Sequence, residues 1–119
     1  MTSVRKIKKL KNKIHIDDVF KKGKQLRSDL LVLRYLKDIE VKEAIFIGVA
    51  VSKRDVFLAV ERNRVKRQIR ASVQLYKKLI EEKLPCGYYM FLYKGKLDHS
   101  SEELSKTVAK LLDSLGQNT

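Results

Sequence analysis

Residues 61–70 read Glu-Arg-Asn-Arg-Val-Lys-Arg-Gln-Ile-Arg; five of the ten are Arg or Lys, and Val65 and Ile69 sit four apart. That spacing specifies a helix with one buried stripe and one densely cationic face. At about 100° per residue, Val65, Ile69, Val73, Tyr76 and Ile80 gather on one side. Asn63, Arg64, Lys66, Arg67, Arg70, Lys77 and Lys78 fan over the other. Arg62 falls near the apolar edge in the first turn, where free backbone N–H groups and the helix dipole also favour an anion. A soluble helix normally mixes signs, whereas here Glu61 alone accompanies the five bases. A face this charged repels itself and implies a polyanion as its partner. The planar fork of donors on Arg fits phosphate oxygens better than an ammonium does.

The rest of the charge is as unevenly placed. The chain has 119 residues and a net charge of +13, with 44% apolar residues. That length is one domain and that apolar share supplies one modest core. Residues 1–27 hold ten Lys or Arg against two Asp, and residues 61–78 hold seven against Glu61, while the intervening and following segments are close to neutral. If the two basic segments fold against one another they make one continuous basic surface, which points to nucleic acid. No apolar run approaches the ~18 residues a bilayer span needs, and no signal-peptide core stands near the start. A membrane is therefore not an expected partner. The single cysteine, Cys86, has no partner for an internal disulfide, which favours a reducing compartment, the cytoplasm by default.

Local patterns give an order of helix, strand, strand, helix, strand, helix. Residues 1–12 are basic without a clean period and read as a mobile arm. In residues 14–22, Ile16, Val19 and Phe20 recur at helical spacing, with Gly23 as a left-handed stop. Residues 30–36 form a strand candidate and 38–42 a polar turn. Residues 44–52 alternate most clearly: Ile45, Ile47, Val49 and Val51 line a core face. Ala44, Phe46, Gly48, Ala50 and Ser52 line a mostly small, open one. After a connection over 53–58, one long helix is expected from 59 to 83, with Pro85 just past its end. Residues 87–93 make an aromatic-rich strand. Ser100 and Glu103 have capping-box spacing ahead of a last helix whose stripe is Leu104, Val108, Leu111, Leu112 and Leu115, stopped by Gly116. The fold class is α+β, a small single-domain sandwich of helices against a mixed sheet.

The string Arg62-Asn63-Arg64-Val65-Lys66-Arg67, followed by Ile69-Arg70, resembles the RNR signature of the bacterial ribonuclease P protein subunit. Val19-Phe20 with Gly23, and Gly48-Val49-Ala50-Val51-Ser52-Lys53-Arg54, resemble that family's first helix and the strand that ends in its Ser-Lys-Lys turn. The resemblance covers roughly residues 5–115. It implies a left-handed β–α–β crossover, an exception to the usual right-handed rule. It also implies two partners, the catalytic ribonuclease P RNA and precursor tRNA, with the RNA doing the chemistry on bound Mg²⁺ and removing the 5′ leader. By position, Arg62, Asn63, Arg64, Lys66, Arg67 and Arg70 would face the catalytic RNA. Ile16, Phe20, Val32, Arg34, Ala50, Lys53 and Arg54 would line a cleft for the single-stranded leader. The chain departs from the pattern at Ile16 and near Arg34, where the family usually has aromatics. Tyr35 is one residue off and would point to the opposite face. The link of residues 54–60 lacks the family's glycine.

Other chemistries find less support in the residues. His15 and His99 lack a partner histidine or carboxylate at motif spacing, and Asp17 and Asp18 diverge by about 100°, a poor two-metal clamp. No metal-ligand set or catalytic residue is therefore assigned to the protein. Cys86 lacks a zinc-spaced partner and reads as a small residue at a strand entrance. Tyr89, Phe91 and Tyr93 share one face, with Tyr88, Met90 and Leu92 on the other; a stacking platform is possible there, but core packing is the commoner fate. Phe20 can be core or cleft, and Lys53 and Arg54 can be solvated or phosphate-bound. The competing functions are a general RNA-binding ribosomal or assembly protein and a self-sufficient nuclease. DNA is not expected, because no second helix stands at turn spacing before residue 60.

Overall fold

The computed structural model describes residues 6–28, 30–37, 44–94 and 101–117. Its elements are β1 (Lys6–Lys9), α1 (Lys13–Lys22), β2 (Lys24–Arg27), β3 (Leu31–Lys37), β4 (Ala44–Ala50), α2 (Ala59–Leu75), α3 (Lys77–Lys83), β5 (Gly87–Tyr93) and α4 (Ser101–Gln117). The strands form one mixed sheet in the order β1-β4-β5-β3-β2. β1 and β5 run parallel to β4, while β3 runs antiparallel to both β5 and β2. The β4–α2–α3–β5 segment joins two adjacent parallel strands, a connection that requires a crossover element.

Period-two alternation sorts the sheet into two layers. Leu31, Leu33 and Tyr35 of β3, Ile45 and Ile47 of β4, and Tyr89, Phe91 and Tyr93 of β5 enter the main core. There they meet Val65, Ile69 and Val73 of α2, Ile80 of α3 and the Leu104–Leu115 stripe of α4. The tyrosine and phenylalanine row of β5 is thus packing, and Tyr35 takes the face opposite Arg34. The second layer is thinner: Leu10, Val19, Tyr88 and Met90 are buried, with Ile16, Leu36, Phe46, Ala50 and Leu92 packed against them. The small face of β4 is therefore only partly covered: Ala44 and Gly48 are buried, while Phe46 and Ala50 are half-buried. α1 packs over the neighbouring strands β3 and β5, and Leu10 sits over Gly48, where an added Cβ would lie 3.3 Å from the Leu10 Cβ and run into the Met90 sulfur.

Several expectations are corrected. Residues 6–9 are not an arm but an edge strand, paired Lys6 to Ala44 through Lys9 to Ile47. Leu10 follows it into the interior, its N–H donating to the Ile47 carbonyl at 3.0 Å. Backbone pairing and one buried leucine hold this segment, so its side chains show no apolar period. Asn12 then caps α1, its Oδ1 accepting from the Ile14 N–H at 2.9 Å. Gly23 ends α1 but with φ −72° and ψ 159°, an extended conformation rather than a left-handed one. The chain turns there straight into β2, and a Cβ would run into the Val19 carbonyl and lie 2.8 Å from the Tyr35 carbonyl oxygen. Crowding, not handedness, selects glycine. β2 itself was not foreseen.

The long helix breaks at Tyr76, which has φ −103° and ψ 22°. One turn earlier the Ser72 hydroxyl donates to the Gln68 carbonyl at 2.9 Å, a local bond of the kind that bends helices. α4 runs through Gly116 to Gln117. Buried Leu115 holds its last turn against the core, which outweighs the roughly 1 kcal/mol a helical glycine costs. β4 stops at Ala50, so Ser52 belongs to the following turn. The 38–42 turn and Ser100 lie outside the described residues.

Candidate nucleic-acid interface

The main-core stripe of α2 fixes where its cations go. With Val65, Ile69 and Val73 turned inward, Asn63, Arg67 and Arg70 are exposed and Lys66 half-buried. Together with Val60 they line a shallow hollow of about 380 Å³. Arg64 is partly committed elsewhere: its Nη2 lies 2.8 Å from Glu61 Oε2, and its Nε donates to the same oxygen at 2.9 Å. Arg62 turns back on the chain. Its Nη1 donates to the carbonyls of Val56 at 3.0 Å and Phe57 at 2.6 Å, so it braces the entry to α2 and keeps only its other donors for a ligand.

The two basic segments do come together. A hollow of about 390 Å³ beside β1 is lined by Lys8, Lys9 and Lys11 of the first segment and by Arg70 and Gln74 of the second, over a floor that includes Ile16 and Met90. The cationic face of α2 therefore continues past the edge of the sheet to the side of α1. Unlike charges tiled evenly over a surface, cations gathered along a concavity focus their field on whatever anion enters it.

On the α1 side, strand register sets the rows. Arg27, Val32, Leu92 and Ala50 lie abreast across β2, β3, β5 and β4. The next row is Gln25, Arg34, Met90 and Gly48. Phe20 on α1 is 41% exposed and so is not a buried core residue. Arg34 lies beside it, its guanidinium carbon 5.7 Å from the ring centroid. Its Nη2 donates to the Phe20 carbonyl at 2.7 Å and its Nη1 to Gln25 Oε1 at 2.9 Å. Ile16, one turn before Phe20, is half-buried, as is Ala50, and Val32 is only 4% exposed and serves as floor. Lys53 and Arg54 are exposed on the turn after β4. That turn is closed by Ser52, whose hydroxyl donates to Asp55 Oδ2 at 2.8 Å and accepts from the Asp55 N–H at 3.1 Å.

Sequence reasoning missed Gln25 and exposed Arg27, which reach this wall only because β2 pairs with β3. It also missed an aromatic file at the other end of α1: His15 stacks on Tyr88 at 4.5 Å, and Tyr88 on Phe46 at 5.4 Å. A signal existed for the second, since Phe46 and Tyr88 each occupy the α1-facing parity of their strands. Nothing local marked the first. Cys86 is half-buried and unbonded to another cysteine, at the entrance to β5 as read. Asp17 is exposed and Asp18 half-buried. His99 lies outside the described residues. No helix of the described residues is long and apolar enough to cross a membrane.

These features define a class: a small basic α+β domain with an arginine-rich helix on one face of a mixed five-stranded sheet and a short helix, α1, on the other. Comparison with known proteins narrows it. The family model described as Ribonuclease P matches residues 4–116, and the chain belongs to that family. It is 37% identical over 91 residues to the "Ribonuclease P protein component" of a Nitratiruptor species, covering 76% of this chain and 75% of that one. It is 35% identical over 108 residues to the protein of the same name from Bacillus velezensis, covering 91% and 89%. The fold matches solved RNase P proteins. That of Staphylococcus aureus has a TM-score of 0.75 at 20% identity, over 89% of this chain and 93% of that one. That of Thermotoga maritima has a TM-score of 0.73 at 20% identity, over 90% and 96%.

Proposed function

We propose that this protein is the RNA-clamping subunit of a ribonuclease P holoenzyme in which the RNA supplies the catalytic centre and its Mg²⁺. Family membership carries the coarse reading, a component of the endoribonuclease that matures tRNA 5′ ends. The observation that carries the finer one is the junction of Lys9 and Lys11 with Arg70 along one hollow. It gives a single cationic track from α2 to the side of α1. Asn63, Lys66, Arg67 and Arg70 hold the phosphates of the catalytic RNA. Arg64 joins them by leaving Glu61, and Arg62 contributes mainly by bracing the loop before the helix. The leader of precursor tRNA runs between α1 and the sheet, against Ile16, Phe20 and Ala50 above buried Val32, with Arg34, Lys53 and Arg54 near its backbone. Base stacking there falls on Phe20, the exposed aromatic of the assigned cleft set.

The division of labour rests on chemistry as well as kinship. The adjacent carboxylates Asp17 and Asp18 diverge on α1, and a two-metal phosphoryl transfer needs ligands that converge on ions about 4 Å apart. In this reading the protein binds neither DNA nor membrane and works in the cytoplasm. The test is cleavage of precursor tRNA by a bacterial ribonuclease P RNA at low Mg²⁺, with and without the protein. Stimulation that grows with the presence of a 5′ leader supports the proposal. Equal binding of mature and precursor tRNA would point to a general RNA-binding protein, and cutting without the RNA subunit to a protein nuclease.

A further inference from the structure

The loop before α2 exposes more apolar surface than its position requires. Phe57 is 82% exposed, Leu58 60% and Val60 74%. Scattered exposed apolar residues are ordinary. Three within four positions, at the head of the most basic helix, are not. Nor is this a loose segment. Val56 is 1% exposed and packs in the main core, and its N–H donates to the Ser52 carbonyl at 2.9 Å. Arg62 Nη1 donates to the two backbone carbonyls that flank the Phe57 Cα, those of Val56 and Phe57. The Arg62 N–H bonds the Leu58 carbonyl at 3.0 Å, and Asp55 lies 3.8 Å from Lys94. With Val56 anchored inward and the backbone pinned, Phe57 projects outward from a fixed stretch of backbone.

Its surroundings decide what it fits. Lys53 and Arg54 precede it, both exposed. Val60, the second residue of α2, lines the same hollow as Asn63, Lys66, Arg67 and Arg70. A flat apolar ring bordered by cations suits a ligand that carries a flat apolar face and a phosphate within one repeat unit, which is a nucleotide. We propose that Phe57, flanked by Val60, is a stacking platform for an unpaired base of the RNA held along α2. The proposal rests on the RNA-clamping reading of that helix. An acidic protein surface would satisfy the cations but would leave the ring without a planar partner. Stacking of bases on aromatic side chains tolerates any sequence and needs no hydrogen-bond readout.

The test uses the full chain and a bacterial ribonuclease P RNA transcript. The sequence contains no tryptophan, so Phe57→Trp installs a single reporter at the platform. Its emission is expected to be quenched, and shielded from acrylamide, as RNA is added. Phe57→Ala is expected to weaken binding by roughly five- to a hundredfold while leaving the melting temperature and the slope of log affinity against log salt unchanged, because stacking releases no counterions. Arg67→Ala, run alongside, tests the clamp itself through its salt slope. Wild-type affinity for Phe57→Ala with weakened Arg67→Ala overturns the platform and leaves the clamp standing; wild-type affinity for both removes the two together. A flatter salt slope in Phe57→Ala, an unquenched Phe57→Trp, a lowered melting temperature, or a change in self-association of the RNA-free protein each assigns the ring another role and overturns the proposal.

Discussion

Arg34 holds Phe20 from two directions: its Nη2 donates to the Phe20 carbonyl at 2.7 Å while its guanidinium carbon stands 5.7 Å from the centre of the Phe20 ring. One side chain thus contacts both the end of α1 and the aromatic it presents. Arg34→Met keeps much of the apolar stem and removes the donors. It is expected to lower stability by about 1–3 kcal/mol and to reduce discrimination between precursor and mature tRNA. Phe20→Ala should reduce that discrimination with a smaller loss of stability, since the ring is already 41% exposed. Denaturant melts alongside leader-dependent binding check both. A Phe20→Ala protein that fails to fold would return the ring to the core.

Arg67 and Arg70 are the exposed cations of the α2 hollow. Replacing either with Ala should weaken binding to the RNA and reduce the salt slope by about 0.7–0.9 for each phosphate the side chain neutralises. Titrations at several salt concentrations measure this directly, and an unchanged slope would take the substituted residue off the interface.

Glu61 pairs with Arg64 at 2.8 Å across an i, i+3 spacing, and on the proposed reading that pair must open for Arg64 to meet RNA. Both side chains are partly exposed, so the bridge contributes little to folding, in the range of about 0.2–1 kcal/mol. Glu61→Gln should therefore leave the melting temperature nearly unchanged. It should tighten RNA binding by roughly two- to fivefold and steepen the salt slope, as Arg64 becomes available and a repelling charge disappears. Affinity equal to or below wild type would show that Arg64 does not reach the RNA.

Ile69 anchors the opposite side of the same helix, fully buried among the α4 stripe and the sheet. Ile69→Ala should cost about 2–5 kcal/mol of stability, read from urea melts. RNA binding, measured where the variant remains folded, should change little, because the cationic face is untouched.

How much of this was legible follows from where each signal lives. The α2 face could be read because stripe and cations belong to one segment and repeat at one period. The break at Tyr76 could not, because Val73 and Ile80 are seven apart, and that spacing stays in phase across the interruption. β1 and β2 escaped notice for a shared reason. Edge strands are commonly short and charged, and Lys6–Lys9 and Lys24–Arg27 contribute only Ile7 and Leu26 as apolar residues, too few to show alternation. The cleft was legible only residue by residue. Its far wall, with Gln25 and Arg27, is made by register between strands that no local pattern specifies. The Arg34–Phe20 contact spans fourteen residues and depends on Gly23 letting α1 turn directly into β2.

The parallel pairing of β1 with β4 also has a temporal meaning. Lys6–Lys9 leave the ribosome before Ala44–Ala50, and β4 in turn lines up with Gly87–Tyr93. Such distant partners make for slow, late sheet closure. The lysines beside β1 and Arg70 of α2 therefore face each other only in finished molecules, so a half-made chain offers scattered charges but no groove, and on the proposed reading the RNA would meet its docking surface only after synthesis is complete.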